Sequence, residues 1–178
     1  MTSPMIVLQG YTAVVSFCAG IMDIRTRRIP NWFTLSALVG ALTLQGGFGG
    51  LHALALSALA SLLAGGIFLI FFLAGGMGGG DVKLMAAVAA GIGLPYAGAF
   101  LMLTAICGGV LAVVVALWHG RMRESISNMG SVTVHHFQNG LEPHPDLHVR
   151  NQRNLRLPYA VAIAAGAFLT ISLQGAQR

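Results

Sequence analysis

Two aspartates are the side chains of this sequence best suited to chemistry. Asp23 stands in GIMDIRTRRIPNWF and Asp81 in GMGGGDVKLMAA, each at one end of a long apolar run. The chain has five acidic residues in 178, and the other three, Glu124, Glu142 and Asp146, fall in one polar stretch. Two carboxylates brought close share a proton, because like charges a few ångströms apart do not both ionise cheaply. Such a pair holds a water molecule. The ionised member takes the water's proton while the protonated member polarises a carbonyl, which is the chemistry of aspartic peptide hydrolysis. It needs no metal, no cysteine and no serine.

Each aspartate also has a plain structural reading. Asp23 can mark the point where an apolar helix meets water, beside Arg25. Asp81 can be a helix N-cap that accepts from the backbone of Lys83 or Leu84. The glycines ahead of Asp81 weigh on the functional side. Gly75–Gly80 is a poor helix on its own, since each glycine costs up to about 1 kcal/mol there. An unwound segment lets a second backbone approach closely, and irregular backbone at membrane depth survives only where protein or a watery cavity covers it.

The elements that must carry these residues are membrane helices. The composition is 56% hydrophobic and 8% charged, against about a quarter charged in soluble domains. Apolar runs at about 5–22, 32–49, 53–74, 82–97, 99–118 and 157–174 mostly approach the roughly 20 residues that span a bilayer. They carry neither the polar stripe of a surface helix nor the alternation of a barrel strand. The expected fold is therefore all-α and polytopic, a single membrane-embedded domain over 1–178. It has about six transmembrane helices and a polar loop at about 119–156.

Nine of the ten Lys and Arg residues fall in the connections after spans one, three and five; Arg178 is the exception. The positive-inside rule puts those connections in the cytoplasm and both termini outside it. Asp23 and Asp81 then lie at one depth on the cytoplasmic side. An ionisable group at the edge of a bilayer is a functional candidate by default. The N-terminal run has its positive charges after it, so it reads as an uncleaved anchor.

At this point the motifs resemble a known family. GGGD at Gly78–Asp81 is similar to the GxGD motif of intramembrane aspartyl proteases. DIRTRRIPNW at Asp23–Trp32 resembles the first-aspartate motif of the type IV prepilin peptidases. GDVKLMAA at Gly80–Ala87 resembles their second, and LPYAVAIAAG at Leu157–Gly166 their last helix. The resemblance covers most of the chain. It implies a membrane endopeptidase that removes the leader from prepilin-like precursors at the cytoplasmic face of a bacterial inner membrane, with no cofactor. Its partners are the precursor and the lipid bilayer, with no nucleic acid. By this likeness Asp23 and Asp81 are the catalytic pair. Gly78 and Gly80 shape the backbone at Asp81, and Pro30, Asn31 and Lys83 help position the motifs. Larger members carry paired CxxC motifs and also N-methylate the product. This chain looks like the short forms of tight-adherence (Flp) pilus systems, and methyl transfer is not expected.

Other chemistry is less supported. Cys18 and Cys107 form no CxxC pair and read as small core residues. The stretch 119–156 holds His135, His136, His144 and His148 but no HExxH, and reads as a solvated loop without metal. Arg150, Arg153 and Arg156 fit an anchor at anionic headgroups. Two other classes compete: a small ion or proton-coupled carrier, and a non-enzymatic pilus or secretion assembly subunit. A carrier places its binding groups near the midplane, where no span here carries a charge.

Overall fold

The structure, a computed structural model, describes residues 3–74, 76–118 and 158–177; the polar stretch at 119–156 lies outside them. The described residues form five helices and no strands: α1 (Ser3–Thr26), α2 (Asn31–Leu73), α3 (Gly79–Ile92), α4 (Leu94–Trp118) and α5 (Tyr159–Ala176). Four of them, all but α3, are long and apolar enough to cross a membrane. This is the architecture of a multi-pass membrane protein.

The 43 residues of α2 cover two expected spans, 32–49 and 53–74. Gly50 interrupts the helix with φ 68° and ψ −166°, a conformation open mainly to glycine. The chain reverses there. Gln45 and Ser57 both reach the carbonyl of Ala90, yet in a straight helix they would stand roughly 18 Å apart. A Cβ on Gly46 would likewise meet Leu54 at 3.6 Å. The element is thus a helical hairpin whose two arms embrace α3.

The fourth expected span, 82–97, differs from the structure. Gly93, with φ 85°, ends α3 after 14 residues, and Leu94 and Pro95 open α4. At 1.5 Å per residue α3 reaches about 21 Å, less than the roughly 30 Å of a hydrocarbon core. It is shielded instead. From Leu84 to Ile92 every residue but Ala86 is buried, with α2 packed against it most extensively and α1, α4 and α5 completing the cover.

Burying a short helix end leaves carbonyls without intrahelical partners, and lipid supplies no donor. Here side chains supply them. Ser57 donates to Ala90 O at 2.7 Å, Gln45 lies 3.4 Å from Ala90 O and Gly91 O, and Gln174 donates to Ile92 O at 3.3 Å. The far end of α3 is therefore held by both arms of α2 and by α5.

Size sorts the residues by face. Ala19, Ala41, Ala60, Ala64, Ala89 and Ala167 are fully buried, while Leu51, Leu62, Met102 and Trp118 are exposed. Small residues let membrane helices approach, and large apolar ones suit lipid. Gly166 is the extreme case, since a Cβ there would stand 2.8 Å from the backbone of Thr104 on α4.

Candidate functional site

The site is assembled where four helix ends meet. Asp23 belongs to the last turn of α1, on a face with Thr12, Ser16 and Ala19 that is buried throughout. That spacing follows the helical repeat. The helix runs one turn beyond the expected end of span one, so Asp23 is inside it and only 8% exposed. Arg27 then adopts φ 50° and donates its N–H to Asp23 O at 2.8 Å, ending α1 in the left-handed manner usual for a C-cap. Three residues on, Pro30 is the N-cap of α2.

The carboxylate of Asp23 has a specific partner. Its Oδ2 accepts the backbone N–H of Ala160 at 3.2 Å. Ala160 is the second residue of α5, and the first N–H groups of a helix are unpaired and carry partial positive charge. The charge of Arg27 also acts on Asp23.

Asp81 lies in the first turn of α3, outside the four span-length helices. It is not an N-cap, as one reading of the sequence had it. Gly78 caps the helix, and the Asp81 carboxylate reaches back to accept the Gly78 N–H at 3.3 Å. This is half of a capping box, since glycine has no side chain to return the bond. The helix also starts earlier than the glycine run suggests: Gly79 and Gly80 are helical, and the irregular backbone is confined to the residues just before them.

Two glycines of the motif have steric reasons. A Cβ on Gly78 would lie 3.1 Å from Asp81 Oδ2. A Cβ on Gly80 would lie 3.4 Å from the Cβ of Ile29, in the turn between α1 and α2. Bare backbone at Gly80 thus lets the start of α3 settle on the turn that follows Asp23.

The structure brings the two aspartates into one electrostatic site. Burial pushes the Asp81 carboxyl up to about 7, the negative charge of Asp23 pushes the same way, and the Gly78 N–H opposes both. A carboxyl at that value exchanges its proton near neutral pH, as acid–base work requires. Tyr159, the first residue of α5, stands in the field of Asp81, and its hydroxyl donates to Gly76 O at 3.2 Å.

The remaining motif residues form a neighbouring cluster. Lys83 donates to Asn31 Oδ1 at 2.8 Å and makes no ion pair with Asp81 among the described residues. Asn31, Thr34, Leu35, Leu38, Lys83 and Ala86 line an open groove of about 360 Å³ between the first arm of α2 and α3. Neither aspartate lines it. Pro30 acts through the backbone alone, its carbonyl accepting from Phe33 and Thr34. Among the described residues no three His, Cys, Asp or Glu side chains converge; the four loop histidines lie outside those residues.

Three contributors were not expected from the sequence: the Ala160 amide, the Tyr159 hydroxyl and the Arg27 guanidinium. The first is backbone and leaves no residue signal. Tyr159 had one, as a hydroxyl at the mouth of an apolar helix, where a tyrosine usually finds a partner when buried.

A model of the type IV leader peptidase family matches residues 11–113, more than half of the chain, and so covers both aspartates and the glycine segment. No curated protein and no solved structure matches the chain.

Proposed function

Because the chain belongs to the type IV leader peptidase family, we propose that this membrane peptidase is an aspartyl endopeptidase acting through Asp23 and Asp81. Its substrates are prepilin-like precursors, cut between a basic leader and an apolar segment at the cytoplasmic face of the bacterial inner membrane. In this reading the chain is one peptidase domain with about six membrane helices, α3 among them a short one covered by its neighbours, both termini face away from the cytoplasm, and it transfers no methyl group.

The observation that carries the reading is that the charge of Asp23 acts on the Asp81 carboxyl. The two aspartates come from helices 58 residues apart in sequence, and Asp81 is raised in part by the charge of Asp23. A water held by the pair attacks the scissile carbonyl carbon. One carboxylate accepts the water's proton, and the other carboxyl gives its proton to the carbonyl oxygen. Collapse of the tetrahedral species returns that proton to its donor, and the first carboxyl protonates the departing amine. The pair ends with one proton, as it began. Gly78 and Gly80 serve by having no side chain, the first against the Asp81 carboxylate and the second against Ile29. Asn31 and Lys83, joined to each other, brace the start of α2 against α3.

The test is cleavage by the purified protein in vesicles, with a prepilin-like precursor from the same genome as substrate. Mass spectrometry of the products is expected to find a single cut just before the apolar segment. Ion flux in the same vesicles with no cleavage would favour the carrier reading. Neither flux nor cleavage would favour the assembly subunit.

A further inference from the structure

We propose that Tyr159 is a positioning residue, whose hydroxyl on the Gly76 carbonyl fixes the glycine segment leading to Asp81 against the helix end that holds Asp23. This rests on the peptidase reading above and adds a part to the same site. Tyr159 and Ala160 are consecutive residues at the start of one helix. Ala160 N–H holds the Asp23 carboxylate, at 3.2 Å, and Tyr159 OH holds the Gly76 carbonyl, at 3.2 Å. One rigid element thus grips both of the strands of chain that carry the pair, and the spacing of its first two residues sets how far apart they stand.

The glycine segment needs such a grip. Its other hydrogen bonds among the described residues are local: Gly76 N–H to Phe71 O, Gly78 N–H to Asp81 Oδ2, and Asp81 N–H to Gly78 O. The Tyr159 bond is the one that arrives from another helix. Met77 is buried and keeps the segment down, but an apolar side chain fixes no hydrogen-bond register. Glycine-rich backbone has more freedom to lose than any other, so a single directional bond at Gly76 has unusual leverage on Asp81, five residues later.

A merely supporting tyrosine and a spacing tyrosine differ in one readout. Two coupled carboxyls lose their protons in two steps, and the gap between the steps grows with their interaction. A peptidase that works with one shared proton has a bell-shaped pH profile whose width is that gap. Letting the pair drift apart narrows the bell. Losing folded molecules lowers it without changing its width. Among the described residues few charged or titratable groups act on the pair. Arg27 follows the last residue of α1 and Tyr159 opens α5, while Lys83 of α3 is engaged by Asn31. The one ionisable side chain of α2, His52, stands beside the Gly50 reversal, and Tyr96 of α4 bonds Gln177 at the other end of α5.

The experiment compares wild type, Tyr159→Phe and a protein with p-aminophenylalanine at 159, a near-isostere that keeps an N–H donor. The kcat of precursor cleavage is measured across pH in vesicles, together with amide hydrogen exchange of residues 76–81. Tyr159→Phe is expected to exchange about fivefold faster in that segment, the factor for one neutral hydrogen bond. Its kcat is expected to drop at least tenfold at an unchanged KM, with a narrower bell, and the amino analogue to restore all three. Unchanged exchange, or a lowered bell of wild-type width, overturns the proposal. The exchange arm needs no catalysis, so it decides the tether even if the precursor is not cut. Failure of wild type to cut would count against the peptidase reading alone.

Discussion

Gly78→Ala is the sharpest probe of how the backbone serves Asp81. Gly78 has φ −84° and ψ 147°, which any residue adopts without strain, so the substitution adds a methyl group and little else. That methyl would stand 3.1 Å from Asp81 Oδ2, closer than ordinary packing allows. The carboxylate must yield by a few tenths of an ångström, in the direction that stretches its 3.3 Å bond from the Gly78 N–H. A hydrogen bond to a charged group contributes about 1.5–3 kcal/mol, and small misplacements of a catalytic group cost up to about 10²-fold. The expected loss in kcat/KM is therefore about 10- to 100-fold, with normal membrane insertion. Gly79→Ala is the control. Its Cβ would meet only the Phe72 ring, at an ordinary 3.5 Å, and its kcat/KM is expected to stay within about threefold of wild type, since no reacting group is displaced. The assay is precursor cleavage in vesicles with active protein quantified. Wild-type activity in Gly78→Ala, or equal losses in both variants, would refute the steric argument.

Two further outcomes follow from burial and packing. The folded protein holds the Asp81 proton up to about pH 7, while the unfolded chain releases it near 3.8. The stability contributed by the neutral carboxyl is thus full below about 3.8 and is lost as pH rises through about 7. Asp81→Asn, which stays neutral, should unfold at a higher temperature than wild type at pH 8, and that advantage should shrink as the pH falls to 4, as read by thermal unfolding in detergent. Gly166→Ala should destabilise by about 1–3 kcal/mol through overpacking of α5 on α4, because its Cβ would stand 2.8 Å from the Thr104 backbone. Unfolding in mixed micelles measures this, and a neutral result would mean that the two helices separate more readily than their close contact implies.

Much of the site was legible because charge is scarce. In a chain with so little polar surface, Asp23 and Asp81 stood out, and apolar run lengths located α1 and the neighbourhood of α3, though the runs 5–22 and 82–97 each left the aspartate just outside the helix that carries it. The Gly50 reversal was legible from the glycine-rich interval around it. The short α3 was not. Leu94 and Tyr96 continue an apolar run through Gly93; Gly93 and Pro95 mark a break in the sequence, but the backbone angle at Gly93 shows that α3 ends there. The polar residues that satisfy its far end, Gln45, Ser57 and Gln174, were visible in apolar runs. Their common target was not, because three segments distant in sequence converge on it. The same holds for Tyr159 and Gly76, 83 residues apart. The N-cap alternative for Asp81 fails for a subtler reason. The usual N-cap has an oxygen on its side chain, and here the cap is a glycine whose N–H the carboxylate approaches from N3.

In the proposed mechanism two aspartates from separate helices act as one hydrolytic pair. Its most direct measurement is the single-turnover rate of precursor cleavage by wild type, Asp23→Asn and Asp81→Asn, at equal amounts of inserted protein. Each asparagine keeps the size of the side chain and removes its proton chemistry. Both variants are predicted to lose activity by at least about a thousandfold, within the range for a positioned acid or base. Cleavage at near wild-type rate by either one would rule out a two-aspartate mechanism.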